Sequence, residues 1–327
     1  MATTPTLKQS VITAFLGKTQ DRFSEYQRPT ELRERLEMVS KLDGYTGVEV
    51  VYPYETGDAA ETDGWMKELG LSYAAINANI KKEAKFVPGA ISRPDKAIRD
   101  AAVQIIKNAK DFAETVGAPH VSCCPLSDGY DQLFQVDYGK AFNLAVETIA
   151  EAADYKPEIP LFVEYKFNET RVHCLLDTCA KTLLLLNAAK AKPGSLGVTI
   201  DFGHSMYAQE NPAQCIALCA ERGTPYYLHT NDNDARHDWD LIGASRHFLH
   251  YVEFMFYAAE YDYPHYFTTD ASPRIFDMHG FFTRHHEITN GIWNLVHTLD
   301  RNKYRDLMAR EDFDELMRLV NKEIYRV

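Results

Sequence analysis

The chain has 327 residues, of which 45% are hydrophobic, and carries a formal net charge of −12. That suits one large α/β domain with a sizeable core. The negative charge speaks against a nucleic-acid partner, because phosphate contacts draw on clustered Lys and Arg. No apolar stretch approaches the roughly 18 residues of a membrane span. Residues 1–10 also lack the charged-then-apolar pattern of a signal peptide, so a cytoplasmic protein with no membrane partner is expected. The six cysteines form no CxxC, which leaves reduced, buried thiols as their simplest reading.

In chain order, the first apolar, β-rich run is 11–15. A helix over 29–42 follows, opening on Pro29 and Thr30 and repeating Leu32, Leu36, Val39 and Leu42 at helical spacing. A strand at 47–52, a weak helix at 63–69 and a strand at 72–76 precede a long helix over 94–116. The remaining strand–helix pairs are 120–124 with 138–153, 161–165 with 170–191, 196–200 with 212–222, 226–229 with 245–261, and 266–269 with 280–299. Several strands are near-continuous apolar runs, as strands covered on both faces must be. Eight alternating units predict a (β/α)8 TIM barrel over 1–300, with a C-terminal helical extension over 301–327. An open doubly wound sheet is the alternative, but the turn Leu16-Gly17-Lys18 after the first strand has no GxGxxG. A last helix over 312–325 carries Leu316, Leu319 and Val320 as an apolar stripe, which leads us to expect a homo-oligomer.

Chemistry concentrates where the later strands end. The fifth ends Glu164-Tyr165-Lys166, the sixth Asp201-Phe202-Gly203-His204, the seventh His229-Thr230-Asn231-Asp232, and the eighth Thr269-Asp270. Taken singly, each has an ordinary role: Glu164 in an ion pair, Asp201 or Asp270 as a helix cap, His229 in the core. Taken together, the strand ends of a barrel converge on one mouth, and acids gathered there need a cation to offset their charge. Asp201, His204, Asp238 and Asp240 suggest a second ion sharing Asp201, with Asp232 and Asp234 as a rival pair in the same loop. Carboxylates with one or two imidazoles favour Mn2+, with Mg2+ or Co2+ as alternatives. The early strand ends offer Tyr52, Tyr54, Asn77, Asn79, Lys81, Asp128 and Tyr130 as substrate walls. Arg236 and Arg274 are too few to predict a phosphate site after the last strands.

On these motifs the chain resembles the xylose isomerase-like TIM-barrel superfamily of sugar isomerases and epimerases, including xylose and L-rhamnose isomerases. Glu164-Tyr165-Lys166 resembles the Glu-x-Lys of the two-metal isomerases, Asp201 to His204 their acid-x-x-His, and Asp238-x-Asp240 their second-metal pair. The resemblance implies that Glu164, Asp201, His229 and Asp270 hold one ion. It implies that Asp201, His204, Asp238 and Asp240 hold another and that Lys166, Glu164 and Asp270 act in catalysis; Tyr52, Asn77 and Asn79, by their place after early strand ends, join Lys166 as candidates for binding substrate. Two departures stand out: the third strand ends Asn77-Ala78-Asn79 with no ring-opening His, and strand eight carries Asp270 where the 3-epimerases use Glu. The expected activity is therefore a metal-assisted aldose–ketose isomerisation of a small sugar, with a ketose 3-epimerase or a C-glycoside deglycosidase subunit as alternatives. A nuclease resembling endonuclease IV would need more histidines and a basic rim.

Overall fold

In a computed structural model, which describes residues 5–327, eight parallel strands close into a barrel. They are β1 Gln9–Ile12, β2 Tyr45–Tyr52, β3 Ser72–Ala78, β4 Val121–Cys123, β5 Leu161–Glu164, β6 Leu196–Asp201, β7 Tyr226–Thr230 and β8 Phe267–Thr269. Each pairs with its neighbour in the chain, and Gln9 of β1 lies opposite Phe267 of β8 to complete the ring. The helices are α1 Leu32–Val39, α2 Ala59–Glu68, α3 Lys96–Val116, α4 Tyr138–Asp154, α5 Cys179–Ala189, α6 Phe202–Tyr207, α7 Pro212–Glu221, α8 Phe248–Glu260, α9 Met278–Thr298, α10 Arg301–Ala309 and α11 Phe313–Leu319. Most open on a short polar residue whose side chain accepts from the first turn, such as Asp58, Asp95, Asp137, Asn211 and Asp277. Helix α3 buries Ala102, Val103, Ile106, Ala109 and Ala113, a stripe at helical spacing that lays it along the barrel wall.

The departures from the sequence reading have local causes. The first strand starts earlier than expected because Gln9 and Ser10 find polar partners on opposite faces of it: Ser10 Oγ is 2.6 Å from Thr268 Oγ1, while Gln9 Nε2 donates to Thr269 Oγ1 at 3.3 Å and Gln9 Oε1 is 2.7 Å from His286 Nδ1 of α9. Residues 13–15, expected as its end, lie in a 3-10 turn over Thr13–Leu16. The helix expected over 170–191 begins only at Cys179. The residues before it form a two-residue antiparallel ribbon, His173–Cys174 against Gly129–Tyr130. Gly129 permits that pairing: its φ is +142°, and a Cβ there would stand 2.2 Å from the His173 carbonyl oxygen. Helix α6 was not foreseen, and the expected helical extension over 301–327 begins with α10, ahead of the single helix named at 312–325. The C-terminal stripe is spent internally, with Leu319, Val320 and Ile324 buried and the Tyr304 ring 5.8 Å from Phe256 of α8. Leu316 of the stripe is half-buried, and Phe313 and Met317 of α11 stay exposed. No helix among the described residues is long and apolar enough to cross a membrane.

The Gly129 contact makes a quantitative expectation. Gly129→Ala should lower stability by about 1–3 kcal/mol, because the ribbon must open or the backbone strain. Gly64→Ala, inside α2 with nothing within 4 Å of its would-be Cβ, should be neutral or stabilising. Thermal unfolding followed by circular dichroism checks both, and equal melting temperatures for the two variants would refute the account.

Candidate metal centre

The C-terminal ends of β5 to β8 bring their polar residues to one point. Asp201 on β6 lies in register with His229 on β7, and His229 with Thr268 on β8, two residues before Asp270. Glu164, Asp201, His229 and Asp270 each present one ligand atom, all within 4.8 Å of one another. His229 Nδ1 is 3.1 Å from Asp270 Oδ2 and 3.4 Å from Glu164 Oε1. A second group, Asp201, His204 and Asp238, shares Asp201 with the first. Here His204 Nδ1 is 3.2 Å from Glu164 Oε1, and Nε2 is 3.0 Å from Asp238 Oδ2. Asp240 lines the same cavity but stands outside both groups.

Glu164 Oε1, His204 Nδ1, His229 Nδ1 and Asp238 Oδ1 are buried without a hydrogen-bond partner. Such orphans are costly one at a time, and here they converge. Two carboxylate oxygens and two imidazole nitrogens, with Asp201 and Asp270 beside them, form a donor set that fits a divalent cation. The charge balance shows the same need. Burial pushes the Asp201 carboxyl up to about 7, reinforced by Asp270, Asp238 and Glu164 against the pull of His204. Burial likewise raises Asp240, helped by Asp238 beside it. Burial would lower His204 and His229, yet the carboxylates around them hold both well above the usual histidine range. Without an ion, protons supply the positive charge, and a metal must displace them.

A residue the sequence reading passed over completes this arrangement. Glu49, fully buried on β2, accepts from Asn77 Nδ2 at 2.7 Å and from Ser122 Oγ at 2.6 Å, and its Oε2 lies 3.2 Å from His229 Nε2. With an ion bound, that contact would keep the imidazole proton on Nε2 and leave Nδ1 as the ligand atom. The signal was present, a carboxylate inside the apolar run Val48-Glu49-Val50-Val51, but it sits mid-strand rather than at a strand end. Asp201 is pinned from the other side. Its carboxylate caps α6 through the His204 N–H at 2.8 Å and accepts from Asn231 Nδ2 at 2.9 Å. Gly203 allows this tight packing, since a Cβ there would stand 2.8 Å from the amides of Asn231 and Asn233.

A cavity of about 360 Å3 opens above the cluster, a volume suited to a small metabolite. Ile12, Ala14, Phe15, Val51, Cys124 and Leu126 form its apolar side; Tyr54, Asn77, Asn79, Lys81, Lys82, Lys166, His204 and the carboxylates of Glu55, Glu164, Asp238, Asp240 and Asp270 line the rest. Lys166 Nζ sits 2.8 Å from Asp238 Oδ2. Despite burial, Asp238, Tyr207 and Asp240 keep it firmly protonated. Three of the expected wall residues lie elsewhere. Tyr52 is absent from the lining: it alternates with Val51, which faces the cavity, and packs its ring 5.8 Å from Phe112 of α3. Asp128 is consumed by the backbone N–H groups of Ala90, Ile91 and Ser92, and Tyr130 stacks on His173 in the ribbon. Asp232 is also structural, accepting from the N–H groups of Arg246 and His247 and from His247 Nδ1.

A closed parallel barrel with an acid–imidazole cluster at its C-terminal mouth defines a metal-competent TIM barrel. The chain belongs to the family described as xylose isomerase-like TIM barrel, whose match runs over residues 36–323. Among curated proteins it is 24% identical over 167 residues to a xylose isomerase of Ruegeria pomeroyi, covering 50% of this chain and 38% of that protein. It is 23% identical over 235 residues to a xylose isomerase of Thermus thermophilus, covering 70% of this chain and 57% of that one. The chain thus spans roughly two-fifths to three-fifths of the length of these relatives. Its fold is similar to that of a D-tagatose 3-epimerase-like protein (TM-score 0.69, 16% identity, 89% of this chain and 99% of that one). It is equally similar to an L-ribulose 3-epimerase (TM-score 0.69, 15% identity, 92% and 98%).

Two expectations follow from the site. Glu49→Gln should weaken Mn2+ binding by about tenfold to a hundredfold, because His229 loses its charged anchor. Titration calorimetry measures this, and unchanged affinity in a folded variant would remove Glu49 from the site. Metal affinity should also rise with pH: protons held on Asp201, near pH 7, and on the raised imidazoles leave before the ion binds. Titrations between about pH 5.5 and 8 should show affinity falling toward the acid end, with protons released on binding.

Proposed function

We propose that the protein is a divalent-metal-dependent isomerase interconverting an aldose and a ketose by hydrogen transfer between adjacent carbons. The observation that carries this reading is the convergence of orphaned acid and imidazole atoms on a cavity that also holds a charged lysine. Glu164, Asp201, His229 and Asp270 would hold one ion, and Asp201, His204, Asp238 and Asp240 a second, with Mn2+ favoured by the oxygen-rich donors. A bound divalent ion supplies Lewis-acid polarisation of the sugar oxygens. Lys166, held charged by Asp238, donates to the substrate carbonyl oxygen and stabilises the negative charge that develops there. Asp270 faces His229 Nδ1 at 3.1 Å, which suits a ligand better than a proton carrier. A general acid or base needs its carboxylate within about 3 Å of the moving proton. The apolar side formed by Ile12, Phe15 and Leu126 shields the reacting carbons from water. A sugar as substrate is supported by the family and by the names of the curated relatives.

A ketose 3-epimerase is the second reading. Its support is length: this chain and the D-tagatose 3-epimerase-like protein match over 89% and 99% of their lengths, whereas the match to the Ruegeria pomeroyi xylose isomerase covers 38% of that protein. One experiment separates the two. Activity on a panel of aldoses and ketoses should vanish with EDTA and return with Mn2+, and turnover in D2O should leave the transferred hydrogen unexchanged. Rapid deuterium uptake at C3 of a ketose would move the assignment to the epimerase, and full activity in metal-free protein would overturn both.

A further inference from the structure

The cavity above the acidic cluster has a basic wall on its other side. The turn after β3 carries Lys81 and Lys82, and both line the cavity. Asn79 shapes this turn, its Oδ1 accepting the N–H groups of Lys81 and Lys82 at 3.1 Å each. Neither ammonium forms an ion pair with a carboxylate among the described residues, although neighbouring charges are matched. Glu55 pairs with Arg35 at 2.6 Å, Lys166 with Asp238 at 2.8 Å, and Glu83 with Lys85 at 2.9 Å. Lys82 Nζ is held 4.5 Å over the Tyr54 ring, beside the cavity. Lys81 is half-buried against the cavity. In a chain of net charge −12, two lysines without acidic partners at one cavity wall are unspent binding capacity.

We propose that the substrate is an anionic sugar, whose carboxylate or phosphate is held by Lys81 and Lys82 while its hydroxyl and carbonyl oxygens face the acidic cluster. This names the substrate class within the sugar-converting reading and rests on it. A neutral sugar would leave the half-buried Lys81 ammonium without a charged partner. An anionic one gains charge-assisted hydrogen bonds that a neutral analogue cannot make. Lys81 and Lys82 are specificity-determining groups, separate from the residues placed at the ions.

The test is equilibrium binding to the Mn2+-loaded protein by calorimetry, with D-fructose, D-fructose 6-phosphate and D-fructuronate as probes. At least one anionic sugar should bind about tenfold or more tightly than D-fructose, and which of them does so identifies the anion. Lys81→Gln should remove most of that preference, lowering anionic-sugar affinity about tenfold and D-fructose affinity far less, with Lys81→Arg restoring the preference. Lys82→Gln, at the more exposed position, should have a smaller effect. Equal binding of all three sugars, or a Lys81→Gln change that affects neutral and anionic sugars alike, overturns the proposal and leaves the isomerase reading intact. Failure of all three to bind overturns both.

Discussion

Carboxylates gathered at one end of a closed barrel must be balanced by positive charge, and the rest of the site is arranged around that requirement. Glu164, Asp201, Asp238, Asp240 and Asp270 stand on elements that the parallel topology forces together. Desolvation raises the cost of every charge brought there. Two imidazoles and Lys166 meet part of the demand. The orphaned atoms of Glu164, His204, His229 and Asp238 mark what is left for a cation.

The surrounding polar network holds these groups against their mutual repulsion. Glu49, anchored by Asn77 and Ser122, orients His229 from beneath. Asn231 and the α6 backbone fix Asp201 from the side. Asp232 and His285 secure the loop that delivers Asp238 and Asp240. Asp232 gathers the N–H groups of Arg246 and His247, and His285 Nδ1 accepts from the Gly243 N–H at 3.2 Å. Burial pushes the His285 imidazole down to about 3, so it serves as a neutral acceptor and adds no charge to the cluster. Local stability is thus organised around an electrostatically demanding point, as expected where function sets the residues.

Much of this was legible before any tertiary information. Strand–helix alternation with near-continuous apolar strands leads to a closed parallel barrel, because strands covered on both faces bury best that way. Acids and histidines at the ends of four successive strands then point to the mouth. Positions were harder where the signal was an orientation. Tyr52 follows Val51 on β2, and the alternation of side chains turns it outward onto α3. The helix expected over 170–191 gives up its first residues, where His173–Cys174 pair instead with Gly129–Tyr130, a contact between segments more than 40 residues apart.

By itself, the sequence determined the kind of fold, the end of the barrel where acids and imidazoles gather, and the residue types that meet there, since these follow from local periodicity and from the placement of acids at strand ends. Only the tertiary structure decided which of several loop acids join the cluster. Asp238 reaches His204 and Lys166, while Asp232, six residues earlier, is consumed by backbone N–H groups. The structure also recruited Glu49 from a distant strand and left Lys81 and Lys82 facing the cavity without acidic partners. Whether a charged side chain is matched or free depends on the register and packing of segments remote in the chain, and no local pattern records that.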